Sequence, residues 1–205
     1  AQGNLLDLDH GTYPYVTSSS PTAGGALTGL GFGPRQVEQV VGVAKAYTTR
    51  VGAGPFPTEL TGAVGDRIRE VGGEFGTTTG RPRRCGWLDL PIVRYAARVN
   101  GLTELALTKL DVLSGVRPLQ VAVSYEREGE QTRTFPAEYG VEQLAEWRPV
   151  YREMEGWDAD LTGVRHMEDL PPAAQVYVAF IEEEVGVPIT LIGVGPQREQ
   201  VIKVS

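Results

Sequence analysis

The sequence predicts an α/β fold built on a mixed, mostly parallel sheet flanked by helices, with short antiparallel hairpins. Helical and extended patterns alternate along the chain, the arrangement expected of such sheets. Of 205 residues, 41% are hydrophobic, enough to bury a core. The 26 glycines exceed the usual share of about 7% nearly twofold and cluster in short loops between apolar runs, the pattern of loop-built ligand sites.

The first thirty-five residues, with Thr17-Ser18-Ser19-Ser20-Pro21 and a run of glycines from Gly24 to Gly33, are too rich in Gly, Ser, Thr and Pro to fold alone. They carry no cap or opening element, as though cut from a longer polypeptide. Behind Pro34, valines and alanines at helical spacing predict a helix over 36–47. A second helix is expected over 58–71. A third is expected over 88–100, opened near Asp89 and Pro91 and closed by Gly101. Thr103 to Thr108 reads as a short buried strand and Leu119 to Tyr125 as another, followed by a hairpin turn at Glu128-Gly129-Glu130. A middle stretch punctuated by Pro and Trp leads to a long amphipathic helix over 172–185, then strands over 188–192 and 200–204. No repeat or linker divides the chain, so 1–205 is treated as one unit.

Composition excludes several functions. With 26 acidic against 19 basic residues the net charge is −7, which disfavours nucleic acid. No apolar run approaches the roughly 18 residues of a membrane helix, and the first nine residues lack a signal-peptide pattern, so a cytoplasmic protein with no membrane partner is expected. Cys85 is the sole cysteine, and His10 and His166 lie far apart, leaving no disulfide and too few ligands for zinc.

Four segments carry chemistry. The apolar strand Leu105-Ala106-Leu107 ends in Thr108-Lys109-Leu110-Asp111, where a ligand crevice would lie in an open α/β sheet. The Asp111 carboxylate can accept both hydrogens of a guanine N1/N2 edge while the Lys109 stem covers the ring; a solvated Lys and a turn Asp would look the same. Thr77-Thr78-Thr79-Gly80-Arg81-Pro82-Arg83-Arg84 gathers hydroxyls and three guanidiniums suited to small anions, or else forms a basic surface loop. Gly193-Val194-Gly195 would let backbone approach a ribose or base, although a turn also explains it. Asp7 and Asp9 beside His10 resemble a metal cluster, but alternation turns His10 away, which favours a structural role. Cys85 has basic neighbours that would lower its pKa but no His partner, and reads as a bystander. A Gly-x-x-x-x-Gly-Lys-Ser/Thr phosphate loop is missing.

Longer blocks identify a family. Ala1-Gln2-Gly3, Leu5-Leu6-Asp7, Asp9 to Pro14, Val16 to Ser19, Lys45 to Gly52 and Gly54 to Leu60 resemble the C-terminal half of adenylosuccinate synthetase. So do Glu74-Phe75-Gly76, Thr78 to Arg81, Gly86 to Asp89, Thr108 to Asp111, Glu155-Gly156-Trp157 and Gly195-Pro196. The resemblance implies a ligase of AMP biosynthesis that couples GTP to IMP and L-aspartate, yielding adenylosuccinate, GDP and phosphate. It places IMP on Gln2, Thr17 and Arg81. It places the aspartate carboxylates on Thr77, Thr78, Thr79, Gly80, Arg81 and Arg83, and GTP on Arg83, Lys109, Leu110, Asp111, Gly193, Val194 and Gly195. It also implies a homodimer, and assigns the phosphate loop, the catalytic Asp and His and the Mg2+ ligands to an N-terminal half that this sequence lacks. No catalytic or metal residue is therefore expected here, and the chain alone should not turn over. Pro82, where another basic residue is frequent, and Gly193, where Ser is frequent, depart from the pattern. The alternative is a non-catalytic module that binds purine nucleotides, or a chain that serves only as an interaction partner.

Overall fold

A computed structural model describes residues 3–77, 80–137 and 140–204. The strands are β1 (Val41–Lys45), β2 (Thr48–Arg50), β3 (Arg84–Gly86), β4 (Leu88–Asp89), β5 (Glu104–Thr108), β6 (Leu119–Arg127), β7 (Glu130–Thr132), β8 (Arg148–Met154), β9 (Ile189–Gly193) and β10 (Val201–Lys203). The helices are α1 (Ala23–Leu30), α2 (Ala63–Val71), α3 (Leu90–Asn100), α4 (Val141–Leu144) and α5 (Pro172–Val185).

The α/β expectation holds, divided among three sheets. In the first, β1, β5 and β9 run parallel and β10 returns antiparallel, in the order β1-β5-β9-β10. In the second, β6 pairs parallel with β4 and antiparallel with β7 and β8. The third is the antiparallel pair β2–β3, with Arg50 opposite Arg84. The main core joins the first sheet to α5 and the second sheet through Leu107, Leu110, Leu119, Trp157, Tyr177 and Ile181, all 2% exposed or less. Tyr177 donates from its hydroxyl to the Ala46 carbonyl at 2.7 Å, so α5 fixes the segment leaving β1. A smaller aromatic cluster holds Tyr95, Tyr125, Phe135 and Trp147. No described helix is long and apolar enough to cross a membrane.

Local rules explain the elements read correctly. Asp89 caps α3 through the Ile92 N–H at 3.3 Å, and Gly101 closes it at φ 59°. The β6–β7 turn places Glu128 at φ 51° and Gly129 at φ 85°, two left-handed residues suited to a tight hairpin. Helix α5 spans the expected 172–185.

The helix expected over 36–47 is instead a 3-10 turn at Pro34–Gln36 followed by strand β1. Its valines suit a strand pairing in parallel with β5 from Val41 opposite Glu104 to Lys45 opposite Thr108. Gly42 is needed for packing, because a Cβ there would lie 2.4 Å from Leu102 Cδ1. The second helix starts at Ala63, not Thr58: Leu60 donates its N–H to the Cys85 carbonyl and Trp87 donates its N–H to the Thr58 carbonyl, which ties 58–60 to the β3 segment. Residues 88–89 form β4, so the third helix begins at Leu90. The glycines of the opening stretch hide α1, which Thr22 caps and Gly31 ends at φ 69°.

Candidate ligand site

Three parallel strands deliver their carboxyl ends side by side. β5 ends at Thr108, opposite Lys45 of β1, and Ile192 of β9 pairs with Leu107. The chain continues as Lys109-Leu110-Asp111 from β5 and as Gly193-Val194-Gly195 from β9. A Cβ on Gly193 would stand 3.3 Å from Thr108 Cα and 3.7 Å from the Lys109 nitrogen, so these two segments are in contact. Gly193 therefore serves close approach, at a spacing where a small side chain fits with a slight shift. The Gly195 turn rests on Gln200, whose backbone carbonyl accepts from Val194 and whose side chain accepts from the Gln197 N–H.

Lys109 adopts φ 65°, ψ 27°, a left-handed conformation that costs a non-glycine residue roughly 1–2 kcal/mol. The strain turns the chain sharply out of β5 into a short 3-10 segment, Leu110–Leu113. Its ammonium donates to the Gly72 carbonyl at 2.7 Å. Leu110 is 0% exposed and packs in the core. Asp111 is half-buried, and its Oδ1 is enclosed without a hydrogen-bond partner. Burial raises the Asp111 pKa against the opposing pull of its own N–H and Lys109, while Asp160 adds to the rise. A carboxylate oxygen shielded from water with no donor suits a ligand that brings one.

Beside the strand ends, Glu74 is 1% exposed and accepts from three side chains: Lys45 Nζ at 2.7 Å, the Tyr47 hydroxyl at 2.6 Å and Arg83 Nη1 at 2.7 Å. Burial would raise its pKa, but these donors win and hold it below the ordinary value. Burial lowers the pKa of Lys45; Glu74 opposes this, and the charges of Arg83 and Lys109 reinforce it. Glu74 has no role among the residues the sequence picks out. Its clue was a lone acid just ahead of a loop carrying three arginines.

The loop from Phe75 to Pro82 is pinched at its base. Phe75 bridges Pro82, the Arg83 N–H donates to the Glu74 carbonyl at 2.9 Å, and the Gly76 N–H donates to the Arg81 carbonyl at 2.8 Å. Gly80, at φ 64°, turns the tip, where Thr77, Gly80 and Arg81 are exposed. Thr78 and Thr79 lie outside the described residues, as does Gln2. The three guanidiniums expected to gather anions part company. Arg84 binds Glu59 through two N–H groups, at 2.7 and 2.5 Å, and reaches the carbonyls of Gly52 and Gly54. It is thus a structural strut and leaves the anion set. Arg83 is held by Glu74, and Arg81 stands at the tip.

Thr17 is half-buried in the opening loop, its N–H bound to the Leu6 carbonyl at 2.8 Å. That loop is tied to β2 by Arg50, which donates to Thr12 Oγ1 at 3.0 Å and the Tyr15 carbonyl at 3.3 Å and pairs through its backbone with Arg84. Asp7 plays the structural part: its Oδ1 accepts from the N–H groups of Asp9 and His10 at 2.9 and 3.0 Å. Among the described residues no group of three or more His, Cys, Asp or Glu side chains is arranged to hold a metal ion. Cys85 is buried, and burial with the Glu74 charge pushes its pKa up to about 11, the reverse of the lowering its basic neighbours suggested and a poor setting for a nucleophile. Two open clefts, of about 350 and about 300 Å³, border Arg117 and Pro118, and neither is lined by any of the strand-end or loop residues above.

Comparison with known proteins supplies a family for this arrangement. The family model described as adenylosuccinate synthetase matches residues 1–202. The adenylosuccinate synthetase of Moorella thermoacetica is 59% identical over 202 residues, 98% of this chain and 47% of its own length. That of Acetivibrio thermocellus is 57% identical over 205 residues, 100% of this chain and 48% of its own. Among solved structures, the fully ligated adenylosuccinate synthetase of Plasmodium falciparum superposes with a TM-score of 0.96 at 44% identity, covering 100% of this chain and 49% of that one. The chain spans about half the length of the curated relatives it matches.

Proposed function

Because the chain belongs to the adenylosuccinate synthetase family, we propose that it supplies the ligand-gathering part of a GTP-dependent ligase joining L-aspartate to IMP, with adenylosuccinate, GDP and phosphate as products. The observation that carries the reading is the donor-less Asp111 carboxylate oxygen just past the carboxyl end of β5, where Thr108 and Lys109 lie against Gly193 of β9. Guanine offers two adjacent N–H donors on one edge, and adenine does not. In this reading Lys109, the Leu110 backbone, Asp111 and Gly193 to Gly195 form the guanine seat.

The remaining assignments follow the same proposal. Arg83 and the loop from Thr77 to Arg81 take the aspartate carboxylates, Arg83 also faces the GTP phosphates, and Gln2, Thr17 and Arg81 take IMP. Guanidiniums are suited to carboxylates and phosphates through paired N–H groups. In the same proposal Mg2+ and the groups that transfer the phosphoryl are supplied by the remaining half of the whole protein, as the family resemblance implies. The working state is a cytoplasmic homodimer acting on small molecules. The net charge of −7 supports small ligands over nucleic acid.

The test combines this chain with the complementary N-terminal half of the Moorella thermoacetica relative and follows absorbance with IMP, L-aspartate, magnesium and GTP, with ATP as control. Turnover with GTP alone is expected. Asp111→Asn replaces an acceptor with a donor, and should weaken guanine selection about 10–100-fold while favouring xanthine, whose C2 carbonyl can accept. Failure of every complementary half to give turnover would overturn the enzymatic reading. Binding of GDP or IMP by the chain alone, with no complementation, would favour a non-catalytic module.

A further inference from the structure

We infer that Glu74 is a positioning residue of the anion site, holding Arg83 and Lys45 in the arrangement that meets the phosphate chain of the guanine nucleotide. The inference rests on the reading of the β5 strand end as a nucleotide seat.

Glu74 draws its partners from separate places in the chain: Lys45 at the end of β1, Tyr47 just beyond it and Arg83 on the returning arm of the loop. A buried carboxylate with three donors has little freedom, and it restricts theirs. Arg83 uses Nη1 on Glu74, while its Nε and Nη2 have no acceptor among the described residues. Lys45 spends one hydrogen on Glu74 and a second on Thr49 Oγ1 at 2.9 Å, leaving a third. The two side chains stay 30% and 27% exposed, so the remaining donors are accessible. The guanine seat is tied to the same hub, because Lys109 donates to the Gly72 carbonyl two residues before Glu74. Two cations on one acid leave the hub itself positive within a chain of charge −7.

Two accounts of Glu74 differ in sign. If it only offsets nearby cations, removing its charge strengthens anion binding. If it orients them, removing it weakens binding even though the site becomes more positive, because a free guanidinium must first be ordered. GMP provides an internal standard: it carries the same guanine but lacks the outer phosphates.

The experiment titrates GTP and GMP into the unsubstituted 205-residue chain, Glu74→Gln and Tyr47→Phe by calorimetry. Glu74→Gln should weaken GTP binding about 10-fold and leave GMP within about twofold. Tyr47→Phe keeps shape and charge, loses only the 2.6 Å hydrogen bond, and should weaken GTP about 2–3-fold with GMP unchanged. If Glu74→Gln does not fold, Tyr47→Phe decides. Tighter or unchanged GTP binding would overturn the inference, as would equal losses for GTP and GMP, which mark a general structural role. Absence of guanine-nucleotide binding by the unsubstituted chain would overturn the nucleotide-seat reading and this inference with it.

Discussion

Glu74 and Asp89 are equally buried, each 1% exposed, yet their surroundings drive them in opposite directions. Glu74 faces two cations and a phenol and stays ionised with its pKa lowered. Asp89 receives the Tyr125 hydroxyl at 2.6 Å and the Ile92 N–H at 3.3 Å. Burial outweighs those neutral donors and the more distant Arg94, pushing Asp89 up to about 7. The carboxylate paired with cations retains a permanent charge and organises the neighbourhood of the strand ends. The one paired with neutral donors caps α3 and links it to β6. Equal burial thus leaves one acid ionised and the other protonated near neutrality, according to whether its partners are charged.

The largest expected effect breaks this comparison at Asp89. Its folded pKa lies above the unfolded value near 4, so the folded state keeps a proton that the unfolded state has released. The stabilisation is fully present below about pH 4 and is lost as pH rises through about 7, a change on the order of 4 kcal/mol. Asp89→Asn should flatten that limb of a urea-denaturation series between pH 4 and 7. A limb unchanged by the substitution would show that Asp89 is ionised in the fold. Glu74 has the opposite sign: its folded pKa is depressed, so its stabilisation is present above about pH 4.5 and disappears as pH falls through the folded value. Glu74→Gln should cost about 2 kcal/mol at pH 7, less than a fully buried pair because Lys45 and Arg83 are partly exposed, and should remove the acid limb. An acid limb identical to that of the unsubstituted chain would place the titration elsewhere.

How legible each region was follows from the range of its interactions. Helix α5, the Glu128-Gly129 turn and the Asp89 cap depend on neighbours a few residues away, and sequence pattern located them. The end of β5 at Thr108 was legible because an apolar run followed by polar residues carries its position with it. Residues 36–47 misled because valine and alanine spacing fits a helix, while the parallel partner that makes a strand there lies at Glu104–Thr108. Gly42, unfavourable inside a helix, was the local hint. The Glu74 hub was illegible for the same reason, since Lys45 and Tyr47 precede it by 29 and 27 residues. The basic run 81–84 read as one anion cluster, but a sequence cannot show that Glu59 already occupies Arg84. The spatial relation of the loop to the strand ends likewise depends on the Lys109–Gly72 contact, 37 residues apart.

The smallest expected effect sharpens the comparison by disturbing the loop while leaving its base alone. Gly80 sits at φ 64°, and a Cβ there would meet none of the described residues within 4 Å. Gly80→Ala therefore meets no clash with the described residues, and its cost is that of holding an alanine in the left-handed region, about 1 kcal/mol. The Glu74 contacts with Lys45, Tyr47 and Arg83 lie at the other end of the loop and are untouched by it. Stability should fall by about that amount at every pH, with the acid limb assigned to Glu74 and the limb between pH 4 and 7 assigned to Asp89 both unchanged in midpoint. If Gly80→Ala instead displaces the acid limb, the tip and base of the loop move as one, and the Glu74 hub is set by the loop's closure rather than by the end of β1.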